Sequence, residues 1–321
     1  MSHLIDTVLL LALPASGKSE VRTFLATLAP EESSKEFGLG PTVQLDDYPY
    51  VHLMRRIDEE LEASSSPTLF FGAQDKPFVD PRDWGTLIEL INEDYRDLHE
   101  AKVVRPESAA AHLFARLEKA AQLVGIGPRL ATLDGAIRDQ LGAKLEAECV
   151  AMLEEKHANY PDILEGKTIV IEFARGGPDG ASIPLKAPFG YRYSLSRLSA
   201  QILQRASILY VWVTPEESRR KNDERARPDE QGSILHHGVP IEVMLKDYGC
   251  DDIEDLISCS GQVDRVLVEA GDERFTLPIS RFDNRVDKTS FVRKEQRSWE
   301  PTERKALHDG LAAALLPLAR G

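Results

Sequence analysis

Two hydrophobic rhythms take turns along the chain. Short unbroken apolar runs predict buried strands, and apolar residues returning every three or four positions predict helices. Ile5-Asp6-Thr7-Val8-Leu9-Leu10-Leu11-Ala12 is the first such run, short, apolar and followed by a turn containing glycine, as a buried parallel strand requires. Val21, Phe24, Leu25 and Leu28 then recur at helical spacing. Thr42-Val43-Gln44-Leu45 predicts a second strand, ending at Asp46-Asp47. Four helices follow. Leu53, Ile57 and Leu61 mark the first. Trp84, Leu87, Ile88, Ile91, Tyr95 and Leu98 mark the second, with Asp83 placed to cap it. Ala110, Leu113, Phe114, Leu117, Ala121 and Val124 mark the third, and Ile137, Leu141, Leu145, Cys149 and Met152 the fourth. The loop Ser64-Ser65-Ser66-Pro67 and the turn Gly125-Ile126-Gly127-Pro128 punctuate this block. Strand-like runs return at 167–172 and at 208–213, the latter after a helix with Leu195, Leu198 and Ile202 on one face. The run 263–268 is the last strand expected, and a helix from about Thr302 to Leu318 closes the chain.

Strands alternating with helices predict an α/β fold, a mostly parallel sheet with helices on both faces. Residues 1–47 and 161–321 would build it, and 48–160 would form a large helical insertion between two strands. No internal repeat or low-complexity tract interrupts the pattern. The 321 residues amount to roughly two average domain lengths, enough to bury a sizeable core. Composition narrows the setting. No apolar run reaches the roughly 18 residues of a membrane span. The stretch from Thr7 to Leu13 lacks the basic flank and cleavage site of a secretory signal, so the expected address is cytoplasmic. Lys and Arg number 39 against 53 Asp and Glu, a net charge of −14, which repels nucleic acid and anionic lipid over long range. The cysteines, Cys149, Cys250 and Cys259, are odd in number and lack metal-ligand spacing. Neither a disulfide framework nor a zinc site is expected of them.

The sharpest chemical signal lies between the first strand and the first helix. Ala12-Leu13-Pro14-Ala15-Ser16-Gly17-Lys18-Ser19 fits the phosphate-loop pattern except at its first position, where Ala stands for Gly. A short loop between a strand and a helix aims successive backbone N–H groups at one spot, and the helix start adds partial positive charge. Gly17 permits close backbone approach, Lys18 reaches the β- and γ-phosphates, and the Ser19 hydroxyl can hold Mg²⁺. The small methyl of Ala12 is tolerable if its backbone angles are ordinary. Glu20, next on the helix, is grouped with these phosphate-side residues.

Through this loop and its flanking strand and helix the chain resembles the phosphate-loop kinases, the broad family of adenylate, nucleoside and shikimate kinases. The resemblance covers about half the chain; the helical insertion lies outside it. No Asn-Lys-x-Asp motif for reading guanine is present, which weakens a GTPase reading, and the resemblance implies ATP or a closely related nucleoside triphosphate with the base preference left open. Asp46 and Asp47 end a strand on the side where open α/β sheets bind ligands, and Asp46-Asp47-Tyr48 looks like the acidic pair and aromatic of uridine-kinase-like members. That implies positioning or deprotonating an acceptor hydroxyl; the plainer reading is a helix cap. Glu172 stands where this fold keeps its Mg²⁺-supporting carboxylate, although most members use Asp. Glu172-Phe173-Ala174-Arg175 is loosely similar to the Asp-Gly-Phe-Pro-Arg run of adenylate kinases, which makes Arg175 a candidate phosphate contact. After the strand ending at Val213, Arg219, Arg225 and Arg227 occupy the place of a lid whose arginines close over the phosphates. Runs of charge are otherwise solvated helix faces. A second basic stretch, Arg281, Arg285, Lys288, Arg293, Lys294 and Arg297 with Phe282, Phe291 and Trp299 interleaved, reads either as a contact to base and phosphates or as a segment pairing with the acidic surface.

These readings converge on an ATP- and Mg²⁺-dependent phosphotransferase acting on a small molecule, with the insertion bounding the acceptor. The alternatives are a nucleotide-driven conformational switch with a protein partner, and a binder without turnover. His236-His237 and the other histidines form no metal-binding array.

Overall fold

Six strands make one sheet in the computed structural model, which describes residues 4–225 and 238–320. They are β1 (Thr7–Leu11), β2 (Thr42–Asp46), β3 (Thr168–Phe173), β4 (Ala206–Trp212), β5 (Arg265–Ala270) and β6 (Glu273–Asp283). Their order is β2-β3-β1-β4-β6-β5, parallel throughout except for the antiparallel β5–β6 pair. Composition explains the order. β1 and β3 are buried at every residue, because helices cover both faces of the sheet centre. β2 and β5 alternate between buried and more exposed positions and lie at the two edges.

The helices are α1 (Lys18–Ala26), α2 (Pro30–Glu32), α3 (Tyr48–Ala63), α4 (Asp83–His99), α5 (Ala109–Leu123), α6 (Gly135–Ala158), α7 (Gly190–Ser196), α8 (Ala200–Leu203), α9 (Pro215–Arg225), α10 (Ile241–Asp247), α11 (Ile253–Ser260) and α12 (Pro301–Leu318). On one face of the sheet Val8, Leu10, Val170, Leu209 and Val211 pack against Val21 and Phe24 of α1 and Leu307, Leu311 and Leu315 of α12. On the other, Leu9, Leu11, Ile171 and Ile208 meet Ile88, Ile91, Tyr95 and Leu98 of α4, with α7 and α11 beside them. Residues 48–160 therefore do not stand apart: α4 is itself a cover of the sheet. Its opposite side, with Leu87 and Leu90, joins α3, α5 and α6 in a third core that reaches Leu13 of the loop between β1 and α1 and Met244 of α10.

Three sequence expectations are corrected. The run at 263–268 is not the last strand. It turns at Gly271 (φ 60°) into β6, which pairs with both β5 and β4. Pro278 and the charges around it hid β6, since proline removes a ladder N–H; it sits at the strand's junction, before pairing with β4 begins at Ile279. The single helix expected through Leu195, Leu198 and Ile202 is two, broken where the Ser199 hydroxyl caps α8 by accepting from the N–H of Ile202. Asp83 does not cap α4. It lies fully buried on the first turn and takes both guanidinium nitrogens of Arg129 at 2.7 and 2.8 Å.

Candidate functional site

The carboxyl ends of β1, β2 and β3 bring the loop, the acidic pair and Glu172 to one side of the sheet, as their parallel pairing demands. The loop makes two left-handed turns, at Ala15 (φ 53°) and Gly17 (φ 103°). Gly17 is required twice over: an L side chain rarely adopts that φ, and a Cβ there would lie 2.4 Å from Thr289 Oγ1. Ala12 has no positive φ, and its methyl joins the core of Val8, Leu10 and Phe24. A small apolar residue suits that position.

Three side chains from three distant segments hold alternate loop carbonyls. Tyr191 Oη donates to the carbonyl of Ala12 at 2.9 Å, Ser218 Oγ to that of Pro14 at 2.7 Å, and Asn284 Nδ2 to that of Ser16 at 2.7 Å. In a trans peptide the N–H points opposite to the C=O, so the N–H groups of Leu13, Ala15 and Gly17 face away from these anchors. None of the three makes a hydrogen bond among the described residues, although all three residues are buried. Ser16 Oγ, also buried, has no partner either. Buried polar groups are seldom left unpaired, and this cluster of donors suits a polyanion. Lys18, 7% exposed, lies on the first turn of α1 with Nζ 3.4 Å from the carbonyls of Ala12 and Leu13.

Beside the loop, Asp46 and Glu172 are register neighbours on adjacent strands. Both accept from Arg22 Nη1, at 3.1 and 2.6 Å. Burial pushes the Asp46 carboxyl up to about 7, and the charges of Glu172 and Asp47 push the same way, while Arg22 pulls it down. Sequence reasoning missed Arg22. The available signal was its position one helical turn beyond Lys18 and Ser19, on the same side of α1. Asp47, at the head of α3, binds Arg175 Nη1 at 2.6 Å. Burial raises its pKa, and Arg175 and then Lys18 work against that rise. Arg175 is 2% exposed and lies against the rings of Trp84 and Phe173, 4.9 and 5.1 Å from their centroids. Its visible bonds go to Asp47 and to the carbonyls of Ala174 and Trp84, so it orders Asp47.

Other candidates lie further from this cluster. The Glu20 carboxylate is occupied by Arg293 at 2.6 Å. On α9, Arg219 pairs loosely with Glu216 and Asp179 at 3.5 and 3.6 Å. Arg225 ends α9, and Arg227 and His236-His237 lie outside the described residues. The basic stretch is largely answered by acids: Arg281 by Glu254, Arg285 by Asp283, Arg293 by Glu20 and Arg297 by Glu295. Phe282 and Phe291 are buried. Two surface cavities, of about 790 and 220 Å³, lie elsewhere, beside Trp299 and beside Leu267.

Magnesium fits the site in one manner. Among the described residues no three His, Cys, Asp or Glu side chains gather as a metal cluster, and Glu172 is engaged by Arg22. The donor set suits an ion shared between the Ser19 hydroxyl and phosphate oxygens, the usual way this cation is bound. No family model, curated protein or solved structure matches the chain.

Proposed function

We propose that the chain is a phosphate-loop phosphotransferase of the kinase type, binding ATP at Ala12–Ser19 and phosphorylating a small molecule held beside Asp47. The observation that carries this reading is the loop itself. Its alternate carbonyls are tied back by Tyr191, Ser218 and Asn284, the N–H groups of Leu13, Ala15 and Gly17, without partners among the described residues, face the other way, and Lys18 stands on the following turn. The strand order β2-β3-β1-β4-β6, with the loop leaving the central β1, supports it, because ligands of open parallel sheets bind where connections diverge to opposite sides.

In this reading the loop amides and Lys18 hold the β- and γ-phosphates, and Ser19 would hold Mg²⁺, which supplies charge neutralisation. Asp47 orients the acceptor hydroxyl. As the acceptor oxygen bonds to the γ-phosphorus, the bond to the β,γ-bridging oxygen breaks, ADP leaves, and the hydroxyl proton passes to the Asp47 carboxylate. Arg175 keeps Asp47 in place, and Arg22 holds Asp46 and Glu172 together despite their like charges. Arg219, Arg225 and Arg227 as closing arginines belong to this proposal, whereas Glu172, engaged by Arg22, takes no part in holding the metal. The switch reading draws on the contacts that tie α9 and the segment after β6 to the loop, through Ser218 and Asn284, which would transmit a change in the loop outward.

One experiment separates the two. Mg·ATP is incubated with the protein and a panel of hydroxyl-bearing metabolites, and ADP release is followed. Release stimulated by an acceptor supports the kinase, and slow release independent of any acceptor supports the switch. Lys18→Ala should lower nucleotide affinity or turnover by at least about a hundredfold with the circular dichroism spectrum unchanged. Wild-type behaviour of that variant would refute the assignment.

A further inference from the structure

The two edges of the sheet end differently. At β2 the edge is closed. The Asn159 side chain, at the end of α6, accepts from the Gln44 N–H at 3.2 Å and donates to the Gln44 carbonyl at 2.5 Å. One side-chain amide thus fills the place of a further strand. Unpaired edges invite pairing with another chain, and proteins commonly block them.

β5 has no such block. Its register with β6 sets which of its groups face outward. The Ile279 N–H donates to the Asp264 carbonyl at 3.0 Å, so these opposed residues form a hydrogen-bonded pair. The alternation of an antiparallel ladder then makes Val266–Leu277 and Val268–Phe275 the next such pairs. Arg265, Leu267 and Glu269 therefore turn their N–H and C=O groups away from β6. Of these groups only the Arg265 carbonyl has a partner among the described residues, the Ser260 hydroxyl at 2.9 Å, and a carbonyl oxygen can accept twice. There is open space against the strand: the cavity of about 220 Å³ is lined by Leu267, Val268 and Glu269 and by no residue of β6.

The side chains along this edge complement themselves. Arg265, Leu267 and Glu269 share one face of β5, and Val266 and Val268 are buried in the core on the other. Consider a second copy laid antiparallel about a two-fold axis at Leu267. Arg265 then stands opposite the partner's Glu269, Glu269 opposite the partner's Arg265, and Leu267 opposite the partner's Leu267. These are the same positions whose backbone groups face outward, so a single register satisfies both the ladder and the charges. Arg265 uses Nη1 alone, on its neighbour Asp264, and Glu269 meets Arg274 through Oε1, which leaves Nη2 and Oε2 for the cross-strand pairs. Val263, 89% exposed just before β5, comes to lie beside the partner's turn at Gly271. We propose that the chain forms a two-fold symmetric dimer through β5, in which the two six-stranded sheets become one continuous sheet. The dimer rests on the edge strands and is independent of the phosphotransferase reading.

Sedimentation velocity over two decades of protein concentration tests this, with hydrogen exchange measured at both ends of that range. The wild type should pass from monomer to dimer, and the amides of Arg265, Leu267 and Glu269 should gain protection as it does. By symmetry, Arg265→Glu or Glu269→Arg sets like charges opposite each other twice per dimer, and each should raise the dimer Kd about tenfold or more. The double variant restores opposite charges in reversed order and should return to within about threefold of the wild-type Kd. Misfolding caused by either substitution would persist in the double variant, so its recovery reads the charge pairing itself. A wild type that stays monomeric throughout, a dimer whose β5 amides gain no protection, a dimer indifferent to both single reversals, or a folded double variant that associates no better than the single ones overturns the proposal.

Discussion

Gly17 concentrates two constraints in one residue, a left-handed φ of 103° and no room for a methyl beside Thr289. Gly17→Ala should therefore cost about 1–3 kcal/mol, read as a lower urea midpoint, and under the proposed function nucleotide binding should fall with it. Adding Thr289→Ala relieves the crowding and leaves the backbone strain, so only part of the stability should return. Asp247, 5% exposed at the end of α10 and with Oδ2 unpartnered among the described residues, makes a prediction of the opposite sign. Its folded pKa of about 7 lies above the ordinary 3.8, so between these values the folded chain holds more protons than the unfolded one. Stability from this group is complete below about pH 4 and is lost as pH rises through 7. The advantage of Asp247→Asn over wild type should thus be near zero at pH 4. It should grow to on the order of 1 kcal/mol at pH 8, a part of the full linkage value because the new amide also lacks a partner. Urea unfolding at the two pH values checks the sign.

At the scale of elements, α9 is fastened to what surrounds the loop Ala12–Ser19. Lys221, wholly buried, pairs with Asp287 at 2.8 Å, and Asp287 in turn accepts from the N–H groups of Thr289 and Ser290. Asn284 donates to Thr289 Oγ1 as well as to the Ser16 carbonyl. Lys221→Met removes one partner of this pair and leaves Asp287 under-compensated. Its expected cost is about 3 kcal/mol, and under the proposed function nucleotide affinity should fall because the loop loses its brace; the chemical denaturation midpoint and calorimetric Kd measure the two effects. Arg22 ties α1 to the ends of β2 and β3. Arg22→Ala would set Asp46 and Glu172 against each other without a cation. Under the proposed function kcat should fall about tenfold or more while KM for the nucleotide changes little, and Arg22→Lys should recover much of the loss, since a single nitrogen, Nη1, makes both contacts and one ammonium can donate to two carboxylates.

Over the whole molecule, the sheet and the segment 48–160 share their cores. Ile88, Ile91, Tyr95 and Leu98 of α4 are buried against the sheet, and each such side chain contributes about 1.5–3 kcal/mol. Their sum is comparable with the entire 5–15 kcal/mol that separates a typical folded domain from its unfolded chain. Deleting residues 48–160 should accordingly yield an unfolded or insoluble product, which circular dichroism and sedimentation would register; a stable folded remainder would contradict this packing. Hydrogen exchange should be slowest in β1, β3 and β4, which are flanked on both sides, and faster in the edge strands β2 and β5.

Local pattern alone determined most of the elements and the loop. Continuous apolar runs of five or six residues bounded by turn residues suit a strand buried on both faces, and Gly17-Lys18-Ser19 after such a run is a contiguous signal. Periodicity lost β6, because Pro278 and its charged neighbours break a two-residue rhythm that only pairing with β4 and β5 restores. It joined α7 to α8 because a serine cap looks the same inside a helix as at its start. The tertiary structure alone decided who neutralises whom. The answers of Arg22 to Glu172, Asn284 to Ser16 and Lys221 to Asp287 span 150, 268 and 66 positions. No local rhythm encodes such pairs, since hydrophobic patterning reports which side of an element is buried, and folding alone reports which charges meet there.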